Sequence, residues 1–146
     1  NGNAKGVAVT ENGEVKVQSG SIVEIDQILS GEITINAGAT AIIIEDYDFS
    51  DGKVNKFKMN WYGTMNDDNN CEMIVYFTNK KGDYGTASGY VFVDKVSMIK
   101  GIGTTVYTDD VYVRGKYMKI EVINNDDSDK FYRRFTIINN MPKGDK

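Results

Sequence analysis

Twenty-one aspartates and glutamates stand in this chain beside no histidine at all. That imbalance decides which chemistry is open to it. Without an imidazole there is no Ser-His-Asp or Cys-His relay and no His-based zinc or iron site. The single cysteine, Cys71 in "CEMIVYFT", has no histidine base and no cationic neighbour in sequence. It reads as a small buried hydrophobe in a strand, and alone it makes no internal disulfide.

The carboxylates can be read in two ways. In "NNDDSD", Asp126, Asp127 and Asp129, with Asn124 and Asn125, could offer oxygen ligands to calcium, which takes six to eight. The stretch lacks the glycine and the distal glutamate of an EF-hand loop, and the same residue types make ordinary turns between strands. The preferred expectation is a solvated hairpin loop; calcium is the cofactor expected if a metal is held there, and otherwise none is expected. "NDDNN" at 66–70 and the group Asp46, Asp48 and Asp51 carry the same pair of readings.

Glycoside hydrolysis would need two carboxyl groups roughly 5–10 Å apart across a cleft. Glu24, Glu32, Glu45, Glu72 and Glu121 all fall in strand-like runs, and nothing marks one pair over another. "GIGTT" at 101–105 lacks the lysine and following helix of a phosphate loop. The chain is therefore expected not to be an enzyme. Aromatic side chains give a different candidate, since flat rings stack on the apolar face of a sugar while amides and carboxylates take its hydroxyls. Tyr62, Tyr76, Tyr84 and Tyr90 are the candidate ligand-binding residues. Trp61, the one tryptophan, shares its face with Phe57 and Met59 and belongs by pattern to the core.

The elements that would hold these residues are strands. "VNKFKMNWY", "CEMIVYFT" and "YMKIEVI" alternate apolar and polar residues with period two, as strands with one face on a core do. In "FYRRFTII", Phe131, Phe135 and Ile137 are expected to share a face, with Arg133 interrupting. The run from Ala39 to Ile44 reads as a buried strand. "IVEIDQIL" at 22–29 fits either a strand or a turn or two of helix. Turn signals at "ENG", "SG" (Ser30–Gly31), "SDG", "KKGD" and "RG" punctuate the runs, and the one proline, Pro142, interrupts none of them. About eight or nine strands so spaced predict an all-β, antiparallel two-sheet sandwich, jelly-roll-like.

The expected organisation is a hairpin or attachment arm over 1–20, the sandwich over 21–140 and a tail over 141–146. Val7, Val9, Val15 and Val17 give the arm its apolar positions. An isolated hairpin is marginally stable, so the arm is expected to pack on the sandwich or pair with another chain. The sequence has 146 residues, 40% hydrophobic and 26% charged, an ordinary globular balance. A net charge of −4, with Lys80-Lys81 and Arg133-Arg134 the only basic pairs noted, excludes nucleic acid as an expected partner. No apolar run reaches the roughly 20 residues of a membrane span. No signal-peptide pattern is visible, and the opening at Asn1 suggests a processed form or a piece of something longer.

Two stretches resemble parts of bacteriophage virion proteins. "VTENGEVKV", Val9 to Val17, is similar to a short hairpin that leads into a globular domain of tail, fibre or capsid-decoration proteins. "GKYMKIEVINNDDSDKFYRRFTIIN", Gly115 to Asn139, looks like the last two strands of jelly-roll domains in such fibres and in carbohydrate-binding modules. The resemblance implies a non-enzymatic virion structural domain at the virion surface, extracellular, anchored through 2–18. It implies self-association, in a trimer or another closed symmetric oligomer, or pairing with other virion proteins, and contact with cell-surface glycans. The alternatives are a carbohydrate-binding module of a secreted enzyme and a subunit of a bacterial surface filament.

Overall fold

The computed structural model describes residues 22–141, which form ten strands. They are β1 (Ile22–Ile35), β2 (Thr40–Asp48), β3 (Lys56–Gly63), β4 (Cys71–Thr78), β5 (Val91–Val96), β6 (Ile99–Lys100), β7 (Thr105–Tyr107), β8 (Val111–Tyr112), β9 (Tyr117–Asn124) and β10 (Lys130–Met141). The arm assigned to 1–20, with Val7, Val9, Val15 and Val17, lies outside the described residues. "IVEIDQIL" is strand, not helix, and β10 runs one residue into the segment expected to be tail.

The antiparallel pairs nest: β1 with β10, β2 with β9, β3 with β7 and β8, β4 with β5. A long ribbon with that pairing buries its apolar face by wrapping on itself. Wrapping adds the pairs β10 with β3 and β9 with β4. The result is one sheet in the order β1-β10-β3-β7-β6, with β8 also on β3, and a second in the order β2-β9-β4-β5. This is the jelly-roll sandwich anticipated from the alternation.

Period-two patterning places the core. Phe57, Met59 and Trp61 point inward from β3, Met73, Val75 and Phe77 from β4, and Met118, Ile120 and Val122 from β9, all at most 2% exposed. Trp61 stacks on Phe135 with ring centroids 5.0 Å apart, and its indole N–H donates to the Met65 carbonyl at 2.9 Å. Burying a side chain of the Val, Leu or Phe size contributes roughly 1.5–3 kcal/mol, so a core of this kind holds the sheets together without a disulfide.

Four local expectations need correction. The loop "NNDDSD" is not a hairpin turn, because β9 and β10 lie in different sheets and the loop crosses between them. Ser30–Gly31 is not a turn but lies within β1, at an irregularity in its register with β10. The Ala39–Ile44 run is not buried: among the described residues β2 ends its sheet, and Ile42 is 52% exposed. In β10 it is Tyr132, not Phe131, that turns inward with Phe135 and Ile137. An extra residue reverses the alternation there: β10 takes three steps from Arg133 to Thr136 while β3 takes two from Tyr62 to Asn60.

Candidate functional site

That extra residue builds the most distinctive surface of the molecule. Arg134 has φ +56°, a left-handed conformation that non-glycine residues seldom adopt. A bulge of this kind bends its strand and re-aims a side chain. On the neighbouring β3, Gly63 has φ +145°, and a Cβ there would lie 2.1 Å from the Phe131 carbonyl oxygen. Glycine thus lets the bulged strand press against β3 backbone to backbone.

Register fixes what stands beside the bulge on the outer face of the six-stranded sheet. Gln27 on β1 opposes Thr136 on β10, Thr136 opposes Asn60 on β3, and Asn60 opposes Tyr107 on β7. The next row on β3 and β7 sets Tyr62 opposite Thr105. These residues and Arg134 line an open cleft of about 360 Å³. The Arg134 guanidinium lies 5.8 Å from the centre of the Tyr62 ring, within cation–π range. Tyr62 and Tyr107 are 37% and 43% exposed, so both present ring surface. Among the described residues that line the cleft there is no carboxylate.

The four candidate tyrosines are not gathered into one site. Tyr62 belongs to the cleft. Tyr76 and Tyr84 meet edge to face on the outer side of the other sheet, 6.4 Å between centroids. There Lys119 lies 4.4 Å over one ring and 5.2 Å over the other. Tyr76 donates to Glu121 at 3.0 Å and Tyr84 to Asp46 at 2.7 Å. Burial raises both phenol pKa values, and those carboxylates raise them further. Tyr90 donates to Asp83. These hydroxyls already have protein partners: Tyr76 ties β4 to β9, and Tyr84 and Tyr90 fix the loop that follows β4.

The acidic stretches are also engaged. Asp126 takes a salt bridge from Lys130 at 2.6 Å and hydrogen bonds from Ser128 and Asn70. The Lys130 contact, foremost, holds its carboxyl well below the usual carboxylate range. Asp129 accepts from the Ala37 backbone N–H at 2.9 Å, and Asp127 is exposed. Buried Asn124 donates to the carbonyls of Ile35, Asn36 and Ser128 and accepts from the Asp126 N–H. The loop therefore ties the end of β9 to the β1–β2 turn. Asn66 caps the short 3-10 turn Asp67–Asn69. Asp48 and Asp51 each accept from a backbone N–H two residues on, and Asp46 from Gly82. Among the described residues no three acidic or thiol side chains gather closely enough to hold a metal ion. Cys71 is buried and its thiol pKa raised by that burial, which makes it unreactive.

Sequence reading found Tyr62 but missed Gln27, Asn60, Thr105, Tyr107, Arg134 and Thr136. One signal was present. The Arg133-Arg134 pair breaks the alternation of "FYRRFTII", and two adjacent cations in a strand cannot both continue a period of two.

No protein-family model matches the chain, and no curated protein matches it in sequence. Among solved structures it is similar to an exo-β-1,3-galactanase from Phanerochaete chrysosporium, solved with galactose, with a TM-score of 0.37 and 11% identity. That match covers 82% of this chain and only 26% of the enzyme. It is also similar to a protein of the Bacillus endospore appendages, described as a family of disulfide-linked pili. There the TM-score is 0.29 and the identity 16%, over 94% of this chain and 100% of the other.

Proposed function

We propose that the chain is a non-enzymatic assembly domain, an extracellular building block that joins copies of itself, or other chains of the same particle, through its first strand. One observation carries this reading. Among the described residues the 14-residue β1 ends its sheet with one edge unpaired, and it carries Val23 and Ile25 at 59% and 66% exposure. An exposed strand edge with apolar side chains is a template for pairing with another strand.

The pattern of β1 also suits a particular partner strand. Val23 and Ile25 alternate with Glu24 and Asp26, so an added strand that alternates valine with lysine would match both faces. Val15, Lys16 and Val17 have that alternation. Pairing between the 7–17 segment of one copy and β1 of the next would build a chain or a closed ring. Among the settings such a block serves, the likeness of Val9–Val17 and Gly115–Asn139 to phage domains favours the virion surface. A surface filament is the second setting. A sugar-binding module is the second class of function, favoured by the outer-face cleft.

The test is the solution mass of the full chain by light scattering after size exclusion, beside Ile25→Lys and a form lacking residues 1–18. The expected result is an oligomer for the full chain and folded monomers for both variants, with unchanged circular dichroism. A full chain that stays monomeric at its highest soluble concentration would refute the reading. So would an oligomer that survives both changes.

A further inference from the structure

We infer that the cleft over Asn60 and Thr136 binds an acidic saccharide, with Arg134 as the anchor for a sugar carboxylate and Tyr62 and Tyr107 as its stacking faces. The inference holds whether or not the chain assembles, since of the cleft's lining only Gln27 stands on β1, and Arg134 and the two rings stand on β10, β3 and β7.

Charge comes first. The protein is acidic overall, with 21 carboxylates against 17 lysines and arginines. Among the described residues, Lys56 and Lys58 pair with Asp110, Lys95 with Glu72 and Lys130 with Asp126. Arg134, like Arg114, Arg133 and the remaining described lysines, pairs with no carboxylate among them, and its place sets it apart: every other described residue lining its cleft is uncharged. A guanidinium held away from acids in an acid-rich protein offers its planar fork of N–H donors to a carboxylate from outside.

Backbone geometry agrees. Arg134 occupies a conformation with positive φ that favours glycine or asparagine, at a bulge that sequence periodicity alone would not require. Bulges next to ligand sites re-aim side chains. Here the bulge brings the guanidinium over the Tyr62 ring.

The rest of the lining selects a sugar. Gln27, Thr136 and Asn60 stand in one row on three adjacent strands, about 4.8 Å apart from strand to strand. Amides and hydroxyls so spaced can serve successive hydroxyl groups along a saccharide. The exposed rings of Tyr62 and Tyr107 offer flat apolar surface to the ring face of a pyranose. An apolar peptide would leave the polar row unmet. A densely sulfated chain would ask for several cations where one stands. The cleft is open to solvent, so a chain longer than one sugar can lie across it.

The experiment is calorimetric titration of the full chain with tetrasaccharides of galacturonate, mannuronate and glucuronate. The fully methyl-esterified galacturonate form serves as the neutral control. Saturable binding is expected for at least one acidic tetrasaccharide, weakening as sodium chloride is raised. Esterification of a bound galacturonate chain is expected to lower affinity about tenfold or more, the scale of a lost charge-assisted pair. Arg134→Asn suits the positive φ and removes the charge; it should lower affinity for the best acidic probe about tenfold with the melting point preserved. Tyr62→Ala should weaken binding as well. Binding of none of the three acidic probes would overturn the assignment. So would equal affinity for an acid and its ester, or full affinity in a folded Arg134→Asn. If that variant fails to fold, equal binding of the best acidic probe and its own ester by the unaltered protein would overturn it by itself.

Discussion

Replacing Asn124 by alanine should cost this protein a large part of its stability. The side chain is fully buried at the end of β9. Its amide nitrogen lies 3.0, 3.2 and 2.9 Å from the carbonyl oxygens of Ile35, Asn36 and Ser128, and its oxygen accepts from Asp126 N–H at 3.0 Å. Two amide hydrogens are shared among the three carbonyls, so the group makes two full donated bonds and one accepted. At about 1 kcal/mol net for each, the bonds sum to about 3 kcal/mol. Polar groups of the loop left short of a partner add up to about another 1 kcal/mol. A domain of this size loses roughly 4 °C of melting temperature per kcal/mol, so the midpoint should fall by about 12–16 °C. Thermal and urea melts followed by circular dichroism give both quantities. Asn124→Asp, which keeps the shape and faces a carboxylate toward those carbonyls, should cost at least as much near neutral pH. Calcium and EDTA should shift the midpoint of none of the three proteins, because Asp126 and Asp129 are already committed to Lys130 and Ala37. A fall of less than about 4 °C in Asn124→Ala would refute the hydrogen-bond reasoning. A rise in the midpoint of the unaltered protein on adding calcium would refute the assignment of the loop as a structural tie.

Gly63→Ala should be more severe than its size suggests. The new methyl would sit 2.1 Å from the Phe131 carbonyl oxygen at a φ of +145°, so the backbone must move; a loss of more than about 3 kcal/mol in a urea melt is expected. Alkaline stability should follow Tyr47 in part, beside Tyr84 and the other tyrosines whose phenols are raised. The Tyr47 phenol is pushed up to about 12, by burial foremost and by Asp26 and Glu24, with a partial offset from Asn139. A folded pKa above the unfolded value of about 10 favours the neutral phenol in the folded state. The contribution is therefore whole below pH 10 and lost as pH rises towards 12. Tyr47→Phe should flatten the fall in urea midpoint across that window, and an unchanged slope would remove Tyr47 as one of its sources.

The alternation of "VNKFKMNWY", "CEMIVYFT" and "YMKIEVI" determined the fold class, because a period of two sends one set of side chains to a core wherever the strand is placed. It also put Trp61 inside and left Tyr62 outside. Nothing in those runs states which strands share a sheet. "KYMKIEVINNDDSDKFYRRF" looks like a hairpin, and its two strands lie in different sheets, since that choice rests on the wrapping of the whole ribbon. The same limit hid the cleft: Gln27, Asn60, Thr136 and Tyr107 come from four separate strands, and only the register sets them in one row. The break in period was legible at Arg133, but that Arg134 is the residue that bulges, and where it points, was not. A single inserted residue can turn a side chain to either side, and only the register of β10 against β3, where it takes one step more than its partner, shows which.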